Sequence, residues 1–308
     1  MIDAAALLDL LAALEVDGYD FVPPTPATHA RVIARGRPGR TVRDLLGWTL
    51  PVPPAALDPT VRDCIERAGI VDDTPDGWRS RLRVARLRGR LFLHSAYPTT
   101  ADDAVFFGPD SYRFANFIVD ELARDSQCGD VVDIGTGSGV GLIVAAGLAL
   151  PARLAMTDIN ARALELAAVN ARHAGFEVAA LHGAGLAGFD SDIDLALANP
   201  PFLIDADERV YRHGGGRLGA QLSLDLATEA AARLAPSGRL LLYSGSAIVG
   251  GRDAFKADLA AAMHHAGCTL RYRELDPDIF GEELDRPVYR AAGVERIAAI
   301  GAIATRSG

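Results

Sequence analysis

Cysteine is scarce in this 308-residue chain, and its placement argues against two kinds of site. The three cysteines, Cys64, Cys128 and Cys268, are odd in number, far apart and form no CxxC pair. That spacing does not favour a disulfide framework or a structural zinc site, so we expect buried thiols and no metal centre. His264 and His265 are adjacent, and neighbours on a helix point to different faces, which does not favour a shared metal ion.

A long apolar run is also missing. The apolar stretch around residues 141–151 is shorter than the roughly 20 residues that cross a bilayer. The first 20 residues carry five acidic side chains and no basic segment, unlike a signal peptide. These features predict a cytoplasmic protein that does not associate with a membrane.

Basic residues are fewer than acidic ones, 31 against 40, so the net charge is −9. This disfavours non-specific binding of nucleic acid by the whole molecule. The charge is uneven: residues 1–100 carry 13 arginines against 12 acidic residues, and the remainder carries 18 basic and 28 acidic residues. The acidic loop DPDIFGEELDRP, residues 276–287, argues further against an RNA substrate.

Arginines alternate with apolar residues near the end of the N-terminal third, which is a strand pattern. These six side chains are Arg79, Arg81, Arg83, Arg86, Arg88 and Arg90. On a strand pair they would suit the phosphates of a nucleic acid. A solvated strand face is the other interpretation, and it is the one we favour.

The periodicity of the apolar residues predicts two domains. Residues 1–100 are predicted to form a small, mainly helical domain that ends in one or two strands, with Thr28 as the cap of its second helix. This domain has a possible role in substrate recognition. From residue 101 to 308, strands alternate with helices until a final pair of strands, TLRYREL and VERIAAIGAIA. We therefore predict an α/β fold: a doubly wound, mostly parallel, seven-stranded Rossmann-like sheet with a C-terminal antiparallel hairpin.

A glycine-rich loop follows the first strand of this α/β region, in the sequence VVDIGTGSGVG. A tight strand–helix turn is the simplest interpretation of such a loop. The dinucleotide pattern GxGxxG fails, because its last position would be Val140 or Leu142, and no Gly-Lys-Ser/Thr follows for a P-loop. The pattern Asp/Glu-x-Gly-x-Gly-x-Gly fits, with Asp133, Gly135, Gly137 and Gly139.

This loop resembles motif I of the class I S-adenosylmethionine-dependent methyltransferases. The resemblance implies S-adenosyl-L-methionine as cofactor. It implies that Asp158, 25 residues after Asp133, accepts the ribose hydroxyls and that Ile159 faces the adenine. The segment VFFGPDSYRF would close over the methionine part, although core phenylalanines in a capped loop are an equal alternative. The cofactor-binding residues are expected to be Asp133, Gly135, Thr136, Gly137, Gly139, Asp158, Ile159, Phe107, Pro109 and Asn199. The residue that meets the adenine amine is not identified, since LHGAGL carries no acid there; Asp190 is a possible substitute.

The tetrapeptide NPPF, Asn199 to Phe202, ends the apolar run DIDLALA. Two prolines stop a strand, so a terminator followed by a core phenylalanine is one interpretation. The tetrapeptide also resembles the (Asn/Asp/Ser)-Pro-Pro-(Tyr/Phe/Trp) motif of amino-methylating enzymes, which act on glutamine amides and on amino groups of adenine or guanine. The resemblance implies catalytic roles for Asn199, Pro200, Pro201 and Phe202: two oxygen acceptors for a nitrogen, rigidity, and a ring for stacking.

Together these features predict an S-adenosylmethionine-dependent N-methyltransferase acting on a planar amide or exocyclic amino nitrogen. A helical N-terminal domain followed by this motif is similar to the release-factor glutamine methyltransferases of the "methyltransferase small" group, so a protein glutamine is favoured. A nucleic-acid base in RNA or DNA, a small-molecule or non-methyl use of the cofactor, and a non-catalytic cofactor-binding module remain alternatives. In YRHGGGRLG, residues Tyr211, Arg212 and His213 either touch substrate or belong to a flexible linker. The oligomeric state is not predicted.

Overall fold

The computed structural model describes residues 3–99, 101–123, 129–149, 153–205 and 213–308. The chain forms two compact units. Unit 1 comprises Met1–Tyr112, Gly137–Val140 and Arg162–Glu177, and unit 2 comprises Arg113–Thr136, Gly141–Ala161 and Val178–Gly308. The predicted functional boundary at residue 100 stays a prediction. The two compact units do not divide the chain at residue 100, because two short segments from beyond residue 130 belong to unit 1.

Unit 1 begins with four α-helices and continues with two antiparallel hairpins. The helices are α1 (Ala4–Val16), α2 (Pro26–Ile33), α3 (Val42–Leu46) and α4 (Pro59–Ala68). The strands are β1 (Val71–Thr74) paired with β2 (Gly77–Ser80), and β3 (Leu82–Leu87) paired with β4 (Arg90–Ser95). The prediction of one or two strands is therefore wrong, because the Pro-Asp-Gly turn at residues 75–77 creates an additional hairpin.

Side-chain caps start the helices of unit 1. Asp3 accepts hydrogen bonds from the backbone N–H groups of Ala5 and Ala6, at 2.9 and 3.1 Å. Helix α2 is capped by Thr25, whose hydroxyl accepts the N–H of Thr28, so the prediction of Thr28 as the cap is wrong. The reason is Pro26, which fits the first helical position and moves the start of the helix forward.

Three arginine side chains of β3 and β4 bond to other residues of unit 1. Arg83 is 5% exposed and donates from Nε to the carbonyl of Gly47 at 2.7 Å. Arg86 pairs with Glu15 at 3.0 Å, and Arg90 donates to the carbonyl of Ala174 at 2.8 Å. Neither a solvated face nor a strand face for nucleic-acid phosphates describes these three arginines. They satisfy carbonyls and an acid that the backbone brings together from distant segments.

The remainder of the chain alternates strands and helices as predicted. Its helices are α5 (Pro109–Leu122), α6 (Val140–Ala146), α7 (Ala161–His173), α8 (Gln221–Arg233), α9 (Ala254–His265) and α10 (Pro287–Ala291). Its strands are β5 (Asp130–Ile134), β6 (Arg153–Asp158), β7 (Ala179–His182), β8 (Ile193–Ala198), β9 (Leu234–Val249), β10 (Arg252–Asp253), β11 (Cys268–Asp276) and β12 (Val294–Arg306).

One sheet forms the centre of unit 2, in the order β11-β12-β9-β8-β5-β6-β7. The strands from β9 to β7 are parallel, whereas β12 is antiparallel to both β9 and β11. The mostly parallel, seven-stranded sheet and the C-terminal hairpin are thus confirmed, and the short strand β10 adds an eighth member beside β9. Within the described residues, no helix has the length and apolar character to cross a membrane.

Candidate functional site

Three strand ends meet at the carboxyl edge of the sheet in unit 2. Ile134 of β5 pairs with Thr157 of β6 on one side and with Ala198 of β8 on the other. The residues that follow, Gly135, Asp158 and Asn199, therefore leave neighbouring strands at the same level. Since neighbouring strands lie about 4.8 Å apart, Asp158 and Asn199 begin roughly 10 Å from each other. Open parallel sheets bind ligands at this edge.

The glycine loop has the backbone of a ligand cradle. Gly135, Gly137 and Gly139 have φ angles of 65°, 55° and 83°, which side-chain-bearing residues rarely adopt. A Cβ atom added at Gly135 or Gly137 would meet nothing within 4 Å. The Thr136 N–H donates to the carbonyl of Thr157 at 3.0 Å and fastens the loop to β6. Bare backbone beside open space fits a ligand that lies against the loop.

Asp133 holds this loop from the inside. Its carboxyl group is buried, and Oδ2 accepts the Thr136 hydroxyl at 2.8 Å and the Leu142 N–H at 3.1 Å. A Cβ atom at Gly141 would lie 2.9 Å from both carboxylate oxygens and 2.8 Å from the Phe114 ring. Gly141 is thus a site residue that sequence reasoning missed. Its signal was the last glycine of VVDIGTGSGVG.

A pH-dependent stability follows from this burial, which raises the pKa of Asp133 to about 7 from 3.8. The native state holds the proton more tightly than the unfolded chain, so the free energy of unfolding falls as pH rises from about 4 to 7. Asp133→Asn keeps an acceptor oxygen without the ionisation. As the pH rises from 5 to 8, the free energy of unfolding of the variant should increase by roughly 2–3 kcal/mol relative to that of the wild type. Urea denaturation at each pH measures this change. A difference that stays constant over this range would contradict the assignment.

A second side chain steadies the loop within unit 1. The Asn170 amide, fully buried, donates to the carbonyls of Ser138 at 2.9 Å and Leu93 at 3.0 Å. Its oxygen accepts the Leu93 N–H at 2.8 Å. Asn170 ties the second half of the glycine loop to strand β4. Sequence reasoning missed it because it stands in a helix, 32 residues from Ser138.

The turn after β6 presents Asp158 and Ile159. The Asn160 N–H donates to Asp158 Oδ1 at 2.9 Å, and the Gly183 N–H donates to the Asp158 carbonyl at 3.0 Å. A ring nitrogen of His182 lies 3.0 Å from the Ile159 carbonyl. Ile159 itself is 52% exposed, so an apolar side chain faces outward at this edge. The segment LHGAGL therefore supports the turn through His182 and Gly183.

The NPPF tetrapeptide begins where β8 ends. Asn199 and Pro201 are half-buried and Pro200 is buried. The Phe202 ring is 8% exposed and lies 6.1 Å from Tyr243 and 6.0 Å from Phe280, centroid to centroid. It packs directly over Gly245 of β9, where a Cβ atom would lie 2.3 Å from the ring. The ring thus anchors the tetrapeptide to the sheet.

The glycine-rich segment after the motif packs against it. The Gly214 N–H donates to the Leu203 carbonyl at 2.7 Å. A Cβ atom at Gly219, where φ is 100°, would lie 2.3 Å from the Phe202 carbonyl oxygen. From residue 213 onward the flexible-linker interpretation is therefore wrong, and close approach explains the glycines. Tyr211 and Arg212 lie outside the described residues.

A polar cluster that sequence reasoning missed holds the residues behind the motif. The Tyr289 hydroxyl accepts the Ile204 N–H at 2.8 Å. Asp205 is 1% exposed; His213 Nδ1 accepts its N–H at 3.2 Å, and Arg286 lies 3.8 Å from its carboxylate. Arg286 also pairs with Glu283. Part of the acidic loop thus serves internal contacts, which its charge pattern did not reveal.

Phe107 and Pro109 belong to unit 1. Phe107 is 5% exposed, and its ring stacks on His94 at 5.0 Å and approaches Phe92 at 5.6 Å. Pro109 begins α5, and the Ser111 hydroxyl accepts the Gly108 N–H at 3.3 Å. The ring sits as a core phenylalanine does. Its predicted role beside the sulfonium stays a prediction.

The chain is similar to known methyltransferases in its sequence. The family model of the methyltransferase small domain matches residues 101–249. A release factor glutamine methyltransferase from Deinococcus radiodurans is 31% identical over 225 residues, which cover 70% of this chain and 77% of that protein. The chain belongs to the methyltransferase small family. It is an S-adenosylmethionine-dependent methyltransferase, which confirms the predicted cofactor and enzyme class.

Two further proteins are similar to this methyltransferase, one in sequence and one in fold. The ribosomal RNA large subunit methyltransferase G of Alcanivorax borkumensis is 30% identical over 177 residues, or 53% of this chain and 43% of that protein. The crystal structure of Trm5b from Pyrococcus abyssi superimposes with a TM-score of 0.51 at 14% identity, covering 74% of this chain and 56% of that one. The likeness to Trm5b shows the fold alone. The methyltransferase spans less than half of the ribosomal RNA enzyme and little more than half of Trm5b.

Proposed function

We propose that this methyltransferase methylates a planar nitrogen and that a protein glutamine is its acceptor. The observation that carries the proposal is the pairing of Ile134 with Ala198, which puts Asn199 beside the glycine loop. The Deinococcus relative, whose alignment covers most of both chains, is named for glutamine methylation.

The cofactor-binding roles follow from the edge of the sheet. S-adenosylmethionine would supply a methyl group on a sulfonium, and the neutral thioether that remains after transfer is a good leaving group. The open backbone at Gly135 and Gly137 would take the methionine part. Gly139 would continue the turn, and Asp133 and Thr136 would hold the loop in shape. The Asp158 carboxylate would accept ribose hydroxyls, and the exposed Ile159 would cover the adenine. Phe107 and Pro109 are retained as candidate residues for the sulfonium.

The tetrapeptide would hold the nitrogen. Amide and ring-amino lone pairs are delocalised, so such a nitrogen is a poor nucleophile until it is pyramidal. Asn199 Oδ1 and the Pro200 carbonyl would each accept one N–H, and Pro201 would keep the two acceptors at a fixed angle. Phe202, packed over Gly245, anchors that geometry, and its remaining exposed edge would meet the substrate. No strong base is required, because the proton can leave after transfer.

The charge distribution supports glutamine over a nucleic-acid base. The net charge is −9, and Arg83, Arg86 and Arg90 are engaged inside unit 1. A phosphate backbone is bound chiefly by accessible cations. A base in RNA is the second candidate, which the ribosomal RNA relative supports.

One labelling experiment separates the two acceptors. The enzyme is incubated with radiolabelled S-adenosylmethionine and cell extract, and the products are treated with RNase or with protease. We expect protease to release the label and RNase to leave it in place. Purified release factors then serve as defined substrates, with the methylated glutamine located by mass spectrometry. Label lost to RNase would refute the protein acceptor.

The ribose assignment predicts the behaviour of Asp158→Ala. The variant loses an ionised acceptor for two hydroxyls, and hydrogen bonds to charged groups contribute about 1.5–3 kcal/mol each. We expect the Kd for S-adenosylmethionine to rise at least tenfold in calorimetry. Asp192→Ala removes an exposed acid and should leave the Kd unchanged. Equal affinity of wild type and Asp158→Ala, or preferential binding of NAD, would contradict the assignment.

A further inference from the structure

A small cavity inside unit 1 is lined in part by Phe107 and Pro109, the two candidate residues for the sulfonium, but its polar side chains have no role in the proposed reaction. Its volume is about 40 Å³, which is space for roughly three water-sized groups. The polar side chains of its wall are His29 from α2, Arg83 from β3, His94 and Ser95 from β4, and Thr99. Tyr97 and Phe107 add apolar surface. The lining contains none of the residues 133–140 of the glycine loop.

Three of these side chains, His29, Arg83 and His94, each have an unpaired atom. His29, His94 and Arg83 are 3%, 1% and 5% exposed. His29 Nδ1, His94 Nε2 and Arg83 Nη2 have no hydrogen-bond partner among the described residues. Buried polar atoms of native proteins are nearly always hydrogen-bonded, and three unpaired ones on side chains that line one cavity indicate a ligand.

The guanidinium of Arg83 is held rigidly. Its Nε donates to the Gly47 carbonyl at 2.7 Å, and its Cζ lies 5.1 Å from the centre of the Phe21 ring. Burial lowers the pKa of Arg83 to about 10, so the group stays protonated at neutral pH. No ion pair joins it to an acid within the part of the chain that the structure describes. A buried cation of this kind is stabilised by an anion.

The tautomer of His94 adds an acceptor. Its Nδ1 lies 3.0 Å from the Ser95 carbonyl oxygen, which only accepts, so Nδ1 carries the hydrogen. In the neutral ring, Nε2 therefore offers a lone pair. Burial and the charge of Arg83 lower the pKa of His94 well below its usual value and that of His29 to about 4, which keeps both rings neutral. The cavity combines the N–H groups of a cation with a lone-pair acceptor.

We propose that this cavity binds inorganic hydrogen phosphate. Its anionic oxygens accept from Arg83 Nη2, and its P–OH donates to His94 Nε2. His29 Nδ1 completes the site as donor or acceptor, according to its tautomer. Sulfate has the same shape and charge but no hydrogen to donate, and a carboxylate only accepts. The site therefore distinguishes phosphate from sulfate by one proton.

The test compares the two anions on the full-length enzyme at pH 8 and equal ionic strength. We expect saturable phosphate binding by calorimetry, with sulfate at least tenfold weaker, because it leaves Nε2 facing an oxygen lone pair. In the wild type, ¹⁵N spectra of the histidine rings should show the His94 Nε2 resonance moving with phosphate. Arg83→Gln should abolish binding, whereas Arg79→Gln, an exposed arginine of the preceding strand, should bind normally.

Four results would overturn the proposal. Equal affinity for sulfate would mean attraction by charge alone. No binding of phosphate, together with unmoved histidine resonances, would remove the site even if Arg83→Gln fails to fold. Binding of acetamide in place of phosphate would assign the cavity to a neutral amide. One-for-one competition between phosphate and S-adenosylmethionine would identify the cavity as part of the cofactor site.

Discussion

Asn199→Ala is expected to lower kcat by roughly 10²–10³-fold while changing the Kd for S-adenosylmethionine little. The substitution removes one of two oxygens proposed to hold the nitrogen, and the other, the Pro200 carbonyl, belongs to the backbone and remains. One acceptor permits the nitrogen to rotate, so its lone pair is no longer aimed at the methyl carbon. Steady-state kinetics with the identified acceptor and calorimetry with the cofactor measure the two effects separately.

Asn199→Asp is the matched control for this prediction. Aspartate has nearly the same shape and keeps an oxygen at the same position, so we expect measurable turnover. If Asn199→Ala turns over at the wild-type rate, the nitrogen clamp is wrong. If Asn199→Ala instead loses cofactor affinity and keeps kcat, Asn199 is a cofactor ligand only.

Gly245→Ala is the second large effect that we expect. The new methyl carbon would lie 2.3 and 2.7 Å from two carbons of the Phe202 ring, which is closer than non-bonded carbon atoms approach each other. Tyr243 and Phe280 pack near the ring, so it cannot rotate away freely. The collision must therefore displace Phe202 together with the adjoining prolines. We expect kcat to fall by about 10–100-fold, because a misplacement near 1 Å is enough for such a loss. The free energy of unfolding should fall by roughly 1–3 kcal/mol.

Gly281→Ala controls for the substitution itself. At Gly281 a Cβ atom meets nothing within 4 Å and φ is not left-handed, so kcat and stability should be unchanged. The double variant Gly245→Ala with Phe202→Leu relieves the collision; it should recover stability but not kcat. Wild-type kcat and stability in Gly245→Ala would show that the ring has room to shift without disturbing the tetrapeptide.

Much of the fold was predictable from local pattern. Strands such as β5 (DVVDI) and β8 (IDLALA) are mostly apolar, as expected in a sheet covered on both faces. Where the prediction failed, one or two residues decided the outcome in each case. The turn before Gly77 created a hairpin that the apolar period did not show, and Pro26 moved a helix start to Thr25.

The fate of the arginines was not predictable in the same way. Alternation with apolar residues indicates a strand but not what lies beside it. Arg83 reaches a carbonyl 36 residues away, and Arg90 reaches one 84 residues away. A residue pattern of period two contains no information about such partners.

Some residues of the candidate site were likewise predictable from local sequence, and others depend on distant contacts. The sequence by itself determined the residues whose chemistry depends on their neighbours in the chain: the glycine loop from Asp133 to Gly139, Asp158 after the next strand, and NPPF. Only the tertiary structure decided what supports them, namely Gly245 under Phe202, Tyr289 behind the motif and Asn170 on the loop. The physical reason is that a tight turn or a proline pair acts within a few residues, whereas packing and buried hydrogen bonds join segments whose separation along the chain is arbitrary.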